Sequence, residues 1–262
     1  MTTRISKFNQ FVSGRLERAY AWEMINKINN SSSKYSALDY GGYDGQLLEK
    51  FIESGLVEFG TTIDMNSDIV FQNSNKTSIG HKLIVIKKGE SLPFADASFD
   101  FITIIGVIEH VYDQNTLLSE IYRVLKSSGV LIIAVPGKHI FSFLDFGNWK
   151  FKLPRLHKWY IERKFGKDYY FKYFIECANG LIGDVELEKR WHEHFTHSEL
   201  ETLLSKNGFQ VFDKDGFGLF FRFFHNIKWI FPKTSPFMNP LIKIDSKYFS
   251  MAEIFCTARK KQ

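Results

Sequence analysis

The chain has 262 residues, a net charge of +5 and two cysteines, Cys177 and Cys256. This length suits one α/β domain with insertions, and the two cysteines, in unrelated contexts, form neither a disulfide framework nor a metal site. Residues 1–20 lack the continuous apolar core of a secretory signal, and no apolar run approaches the roughly 20 residues that span a bilayer. We therefore expect a cytoplasmic protein.

The N-terminal region has the periodicity of a helix. Apolar residues recur near every 3.6 positions over residues 4–29, and the polar run at 29–33 ends the pattern. From residue 34 to residue 136, strand-like and helix-like segments alternate. This alternation requires a parallel sheet with right-handed crossovers.

Residues 35–52 are the most informative segment, because a short apolar strand passes through a glycine-rich turn into a helix. The strand ends just after Asp39, and Gly41, Gly42 and Gly45 lie in the turn. Such a turn leaves backbone N–H groups facing a crevice, and glycine has no Cβ to obstruct a ligand. Glycine also lets the strand and the helix pack closely.

A second strand-like run, residues 57–63, ends in Asp64, about 20 residues after the glycines. An acidic residue at this place binds the ribose hydroxyl pair in doubly wound nucleotide-binding folds. A third apolar run follows at 81–87, and a fourth strand at 99–105 leads to Glu109 and His110.

Four short signatures then occur in a fixed order: LPF at 92–94, SFD at 98–100, EHV at 109–111 and RVLKSSG at 123–129. Together with the glycine turn and Asp64, this series resembles the class I S-adenosylmethionine-dependent methyltransferases over residues 34–137. The resemblance implies a doubly wound, mostly parallel seven-stranded sheet of the Rossmann-like α/β type. It also implies a last strand antiparallel beside the sixth, and S-adenosyl-L-methionine as the cofactor.

The resemblance assigns cofactor-binding residues to the strand ends and the turns after them: Asp39, Gly41, Gly42, Gly45, Asp64, Met65, Gly89, Glu90 and Ile105. Asp64 would hold the ribose diol, and Asp39 would receive the ammonium group, directly or through water. Met65, Gly89 and Glu90 would line the adenine slot.

Two residues depart from the family pattern. Tyr43 stands where a middle glycine is usual, and it crowds the methionine end of the pocket. Lys88 stands where an acidic residue usually contacts adenine, which leaves Glu90 and the backbone of Gly89 as substitutes. These departures keep a non-catalytic methyltransferase-fold binding module as an alternative.

Histidines are the candidate catalytic residues, because an alcohol acceptor needs a base to take its proton. His110 follows the fourth strand, and His194 lies in an extended segment in which it shares one face with His192. A structural role is the alternative for each of them. Glu109 is interpreted as satisfying a buried backbone group.

No metal site is predicted. His192, His194 and His197 lie close in sequence, but no cysteine or well-spaced carboxylate completes a set of ligands. His197 is instead assigned to a helix start, because residues 196–199 read as a capping box.

The chain is interpreted as a single domain in four parts: an N-terminal helix (1–33), an S-adenosylmethionine-binding core (34–137), an inserted cap (138–190) and the C-terminal part of the core (191–262), which carries a Phe-rich insertion at 217–232.

The cap holds ten aromatic residues over 149–174, and eight basic against two acidic residues over 150–172. It is interpreted as a helical cap with an aromatic core, as a basic surface for anionic membrane or a lipid-diphosphate-linked substrate, or as a nucleic-acid groove. The Phe-rich insertion is an interfacial helix, a core lid or a dimer face.

These observations predict a methyltransferase that acts on a small-molecule or glycan-type acceptor, by O-methylation, in surface-polysaccharide biosynthesis. Peripheral membrane contact is a candidate interaction, and nucleic acid is a less favoured partner. An RNA methyltransferase is the enzymatic alternative. The sequence makes no prediction of the oligomeric state.

Overall fold

The computed structural model describes residues 16–28, 35–87, 89–140, 142, 146–175, 192–220, 223–224, 227 and 231–262. The start of the predicted N-terminal helix, Lys88, Cys177, the second half of the cap and most of the Phe-rich insertion lie outside the described residues.

Seven strands form one sheet in the order β3-β2-β1-β4-β5-β7-β6. In chain order they are β1 (Ser36–Tyr40), β2 (Phe59–Asp64), β3 (His81–Val85), β4 (Phe99–Ile105), β5 (Leu125–Pro136), β6 (Phe209–Phe217) and β7 (Glu253–Lys260). Within this described sheet only β7 runs antiparallel, between β5 and β6. The predicted fold class, including the antiparallel last strand, is confirmed.

Helices cover both faces of the sheet. In chain order they are α1 (Leu16–Ile28), α2 (Gln46–Glu53), α3 (Ser67–Asn73), α4 (Gln114–Val124), α5 (Phe146–Lys152), α6 (Pro154–Phe165), α7 (Lys167–Tyr170), α8 (His197–Lys206) and α9 (Ser235–Tyr248). Apolar residues of α1 and α2 pack in one buried cluster with one face of the sheet, and those of α4 and α8 pack in a second cluster with the other face. A three-layer α/β sandwich results.

Helix α1 belongs to the folded domain. The ring of Tyr20 stacks on Phe255 of β7 at a centroid distance of 5.1 Å. Its hydroxyl bonds Asp213 Oδ2 at 2.8 Å and Thr257 Oγ1 at 2.7 Å, so a fully buried phenol has its polar atom satisfied. The predicted helix ahead of the sheet is confirmed for its described part.

Two boundaries depend on pairing within the sheet. Helix α4 ends at Val124, because β5 already pairs with β4 at Leu125, opposite Phe99. Strand β6 extends to Phe217 through the polar residues 213–215. It lies at the edge of the sheet and pairs only with β7, and this polar stretch gives no apolar run to detect.

Arg123 explains why several of the signatures occur together. Its guanidinium donates to the carbonyl oxygens of Leu92 and Phe94 at 3.0 and 2.7 Å, and to the carboxylates of Asp96 and Glu120 at 2.9 Å each. The end of α4 therefore fixes the loop that follows the third strand. The LPF and RVLKSSG signatures are two sides of one hydrogen-bond network.

The described part of the cap is helical, as predicted, but its aromatic side chains are not mainly core. Trp159 is 58% exposed, Phe171 54% and Phe165 49%. Buried His157 instead forms a small cluster with Tyr170 and Phe174. The interpretation of the cap as a shell around its own aromatic core is wrong for the three exposed rings.

Candidate functional site

The carboxyl ends of β1, β2 and β4 meet where the strand order reverses. The strand numbers descend from β3 to β1 and ascend from β4 to β5, so the reversal lies between β1 and β4. Asp39 of β1 pairs there with Thr103 of β4 and with Thr62 of β2. Ligands of open α/β sheets bind outside this edge.

The first two turn glycines are required by contacts within the protein. Gly41 has φ +72°, and a Cβ there would lie 2.4 Å from Val107 Cγ2. A Cβ on Gly42 would lie 2.3 Å from Asp39 Oδ2. Both distances are far below van der Waals contact, so the turn lies directly on the carboxylate of β1 and on the loop after β4.

Gly45 has a comparable role at the start of α2. It has φ +77°, and a Cβ there would lie 2.7 Å from Cε1 of His81. The His81 ring is fixed by Glu49 Oε2 at 2.7 Å and by Thr62 Oγ1 at 2.9 Å. This network ties α2 to β2 and β3 beneath the turn.

Tyr43, the residue that departs from the family's glycine, has φ +57°. A non-glycine residue in this left-handed region costs about 1–2 kcal/mol. Its N–H donates to Asp64 Oδ2 at 2.8 Å, which holds the strained turn in place. Glycine would adopt this backbone conformation without strain, whereas Tyr43 adopts it at a cost.

Asp64 keeps capacity for a ligand although both of its oxygens are engaged. Oδ2 accepts from Tyr43 and Oδ1 from the N–H of Asn66, each at 2.8 Å. A carboxylate has about four lone-pair positions, so Asp64 can still accept a bond from a ligand. Burial raises the pKa of Asp64, and bonds from the N–H groups of Asn66, Tyr43 and Met65 offset part of this rise.

Asp39 is more deeply buried, at 3% exposure. Its Oδ1 accepts from Thr103 Oγ1 at 2.6 Å. Burial raises the pKa of Asp39 to about 6, although the Thr103 bond and the charge of Arg18 lower it. The charges of Asp64 and Asp44 add to the rise. A cation beside this carboxylate would relieve its unfavourable burial.

The other predicted cofactor residues are spread along the same edge. Met65 is half-buried against the core, and Ile105 is the half-buried last residue of β4. Gly89 has φ +76° in an exposed turn. Glu90 is exposed, and its Oε2 accepts the N–H of Lys87 at 3.1 Å, so its carboxylate closes a local turn. The structure therefore brings Asp39, the glycines and Asp64 together, with Glu90 turned to a local contact.

A family model described as a methyltransferase domain matches residues 38–133, which include the glycine turn, Asp64 and the Glu109–His110 pair. The chain carries a class I S-adenosylmethionine-dependent methyltransferase domain. The predicted family and its cofactor, S-adenosyl-L-methionine, are confirmed.

Similar proteins include the ubiquinone/menaquinone biosynthesis C-methyltransferase UbiE of Rhizobium leguminosarum bv. trifolii (strain WSM2304). It is 30% identical over 164 residues, which make up 59% of this chain and 64% of the relative. The chain thus spans less than two thirds of that relative's length.

Solved methyltransferases share the fold at low identity. One is the putative methyltransferase in complex with the Haloferax volcanii Trm112 methyltransferase activator (TM-score 0.59, 13% identity, 98% of this chain and 95% of that one). Another is the Burkholderia thailandensis 1,6-didemethyltoxoflavin-N1-methyltransferase with bound 1,6-didemethyltoxoflavin and S-adenosylhomocysteine (TM-score 0.55, 14% identity, 98% and 85%). At these identities the likeness extends to the fold alone.

Beside the cofactor edge of this methyltransferase domain lies a row of three histidines. The ring centroids of His110 and His192 are 4.7 Å apart, and those of His192 and His194 are 5.5 Å apart. Val107, which contacts Gly41, lies on the same short loop as His110. Both candidate catalytic histidines therefore belong to one cluster near the glycine turn, with His192 between them.

Glu109 does not have the predicted role. It is 2% exposed, and its Oε2 has no hydrogen-bond partner among the residues that the structure describes. Its Oε1 lies 3.7 Å from His192 Nε2. The interpretation that Glu109 satisfies a buried backbone group is wrong, and the residue faces the histidine row instead.

Two residues that sequence reasoning missed hold this row in place. The side-chain amide of Asn148 in α5 bonds both the carbonyl and the N–H of His192, at 3.1 and 3.0 Å. Gln114 of α4 donates to Ile108 O at 3.1 Å and to Glu193 Oε2 at 2.7 Å. Neither lies in a recognisable motif, and the only signal is a polar residue at a helix position next to a histidine-bearing loop.

His197 is confirmed as a helix-start residue. It is the first residue of α8, and its Nε2 is 3.1 Å from the carbonyl oxygen of Ser250. Thr196 and Glu199 form the predicted capping box with bonds in both directions.

Proposed function

We propose that this protein uses S-adenosyl-L-methionine to methylate a small-molecule or glycan-type acceptor, with a hydroxyl oxygen as the favoured target. The histidine row next to the glycine turn carries the proposal. A methyl group leaves a sulfonium by in-line displacement, so the protein mainly aligns the two reactants and excludes water. An alcohol also needs a base at the moment of attack.

His194 is the proposed base, and His110 borders the acceptor site. His194 is half-buried, so it is accessible to an acceptor and partly shielded from solvent. Its neighbour His192 is 3.7 Å from the buried carboxylate of Glu109, which would stabilise positive charge that develops in the row. Surface-polysaccharide biosynthesis is the proposed context for the glycan-type acceptor.

C-methylation of a small molecule is the second candidate, because the similar proteins are named C-methyltransferases. An RNA methyltransferase is favoured only by the basic cap, and a non-catalytic module only by the two departures, Tyr43 and Lys88. Fold similarity does not choose among these acceptors.

Substitution of His194 by alanine is expected to lower turnover by about 10²-fold while cofactor affinity stays unchanged, because general-base help contributes that much to the chemical step and not to cofactor binding. The assay measures S-adenosylhomocysteine release with hydroxyl-bearing sugars, quinol-type rings and RNA, and mass spectrometry locates the added methyl group. His197→Gln, a nearby histidine with a structural contact, serves as the control. Wild-type turnover in His194→Ala would return His194 to a packing role.

Cofactor competence is tested separately by thermal unfolding. Millimolar S-adenosylhomocysteine should raise the Tm of the wild-type protein, because a ligand that binds only the native state stabilises it. Absence of any shift would favour the non-catalytic module.

We also propose that the cap contacts an anionic surface, either a membrane or a lipid-diphosphate-linked acceptor. Trp159, Phe165 and Phe171 are exposed there among basic residues such as Arg163 and Lys164. Exposed rings with cationic neighbours are typical of surfaces that bind at the lipid interface. Every helix in the described part of the chain is too short or too polar to cross a bilayer.

The double substitution Arg163→Ser with Lys164→Ser should weaken binding to anionic vesicles by roughly tenfold or more, since each basic residue near a charged surface adds to affinity. Co-sedimentation with anionic and with neutral vesicles gives the measurement, and soluble sugar diphosphates distinguish a headgroup from a membrane. Lys243→Ser with Lys247→Ser, which removes the same charge from exposed positions of α9, should leave binding unchanged. Equal losses in both double variants would contradict a specific role of the cap.

A further inference from the structure

We propose that Glu109, His110 and His192 form a binding site for a divalent first-row metal ion such as Zn²⁺, contrary to the sequence-based expectation of no metal. The three side chains offer one carboxylate oxygen and two imidazole nitrogens, and these ligand atoms all lie within 4.8 Å of one another. The inference goes beyond methyl transfer, and its test needs no turnover.

The buried carboxylate is the first argument. Glu109 Oε2 has no hydrogen-bond partner within the described parts of the chain, although only 2% of the residue's surface is exposed. Its other oxygen lies 3.6 Å from the position of a Cβ on Gly106, so the side chain folds back over the end of β4. A carboxylate in such surroundings is strongly unfavourable without a cation or a proton.

The spacing of the ligand atoms is the second argument. Bonds to zinc of about 2.0–2.2 Å place neighbouring ligand atoms about 3.3–3.6 Å apart on a tetrahedral ion. Glu109 Oε1 and His192 Nε2 are 3.7 Å apart, close to that spacing. The ligand atoms lie within 4.8 Å of one another, so the widest pair would have to close by at most about 1.2–1.5 Å to reach that spacing.

The loops that carry the ligands are braced against each other, which is the third argument. Gln114 donates both to the carbonyl of Ile108, next to Glu109, and to the side chain of Glu193, next to His192. Asn148 holds the backbone of His192 at both of its polar groups. Such outer contacts orient the ligands of metal sites and are needed for affinity.

The ligand types determine the class of ion. Two imidazoles with one carboxylate suit zinc and other first-row ions, whereas Mg²⁺ and Ca²⁺ prefer sites made of oxygen alone. Three protein ligands leave a coordination position for water or for an oxygen of the acceptor. Because Val107 of the same loop contacts Gly41, such an ion would lie beside the cofactor edge.

The test uses the full chain after treatment with a chelator. Zn²⁺ is titrated in competition with a chromophoric chelator, and Co²⁺ is added as a spectroscopic probe. We expect one ion per chain, visible Co²⁺ bands of a four- or five-coordinate site, and a Tm that rises with Zn²⁺. Glu109→Gln and His192→Ala should each lower Zn²⁺ affinity by more than about 100-fold, and Gln114→Leu by about tenfold.

His197→Gln, a histidine outside the cluster, should bind Zn²⁺ like the wild type. Glu109→Gln removes only a buried charge and keeps the side-chain shape, so it reports on the site even where His192→Ala does not fold. A wild-type protein without stoichiometric Zn²⁺ binding or Co²⁺ bands would overturn the proposal. Unchanged Zn²⁺ affinity in Glu109→Gln would overturn it as well.

Discussion

Replacing Asp64 by alanine is expected to weaken binding of S-adenosylmethionine and S-adenosylhomocysteine by about 10- to 100-fold. Hydrogen bonds to a charged group contribute about 1.5–3 kcal/mol, and the carboxylate of Asp64 keeps acceptor capacity for a ribose hydroxyl. Isothermal titration calorimetry at neutral pH gives the measurement. Unchanged affinity would contradict the ribose role.

The substitution also removes acceptors from the backbone N–H groups of Tyr43 and Asn66, so stability must be measured alongside affinity. Asp64→Asn separates the two effects, because the amide oxygen still accepts one backbone bond while the charge is gone. Asp68→Asn removes the same charge from a partly exposed position in the first turn of α3 and should leave affinity unchanged. Loss of affinity in Asp68→Asn would point to a general charge effect.

The order of strands and helices could be predicted from sequence, because strands that are buried on both faces of a parallel sheet consist of continuous apolar runs. β4, with five residues of its seven buried, is the clearest case. The extension of β6 to Phe217 could not be predicted, because residues 213–216 are Asp, Lys, Asp and Gly and only their pairing with β7 makes them a strand. Edge pairing depends on a partner distant in sequence, which periodicity does not report.

The place of the glycine turn could be predicted, and the sequence suggested two reasons for its glycines: room for a ligand and close packing. The structure shows close packing for Gly41 and Gly42, because a Cβ on them would meet Val107 and Asp39. Sequence spacing cannot give these distances, because the loop after β4 comes beside the turn only in the folded sheet. The expectation that the N–H groups of the turn face a crevice is wrong for Gly41 and Gly42, because both donate to the carbonyl oxygen of Ile63, at 2.8 and 3.3 Å.

The contacts within the histidine row also could not be predicted from short sequence patterns. His110 and His194 were selected for their position along the chain, but the contacts that join them run through His192 and Glu109. Glu109 is the sequence neighbour of His110 and follows β4, whereas His192 comes from a segment more than 80 residues later in the chain. Residues that follow different strands meet at one edge of a parallel sheet, so a site there is assembled from distant segments.

The pH dependence of stability should show that the ionised carboxylate of Asp39 destabilises the native state. Burial raises its pKa from 3.8 to about 6, so the native state binds a proton more tightly than the unfolded chain between these values. The free energy of unfolding due to this group therefore falls as the pH rises from about 4 to 6 and stays low above 6. The shift corresponds to about 3 kcal/mol, so Asp39→Asn should be more stable than the wild type at pH 7 by up to that amount, and the gain should shrink toward pH 4.

Cofactor affinity should move in the opposite direction, which separates a functional carboxylate from a merely unfavourable one. An ammonium group beside Asp39 favours the ionised form, so wild-type affinity for S-adenosylhomocysteine should rise by about tenfold between pH 5 and pH 7. Asp39→Asn should bind more weakly at pH 7 and lose most of that rise, although Asp64, whose pKa burial also raises, retains a share. Chemical denaturation and calorimetry on both proteins across pH 4–8 measure the two effects, with exposed Glu53→Gln as the control. If the pH curves of stability and of affinity are parallel for the wild type and Asp39→Asn, this carboxylate neither lowers stability nor contacts the ligand. If the substitution raises stability and lowers affinity, β1 carries an unfavourable charge because the cofactor needs it.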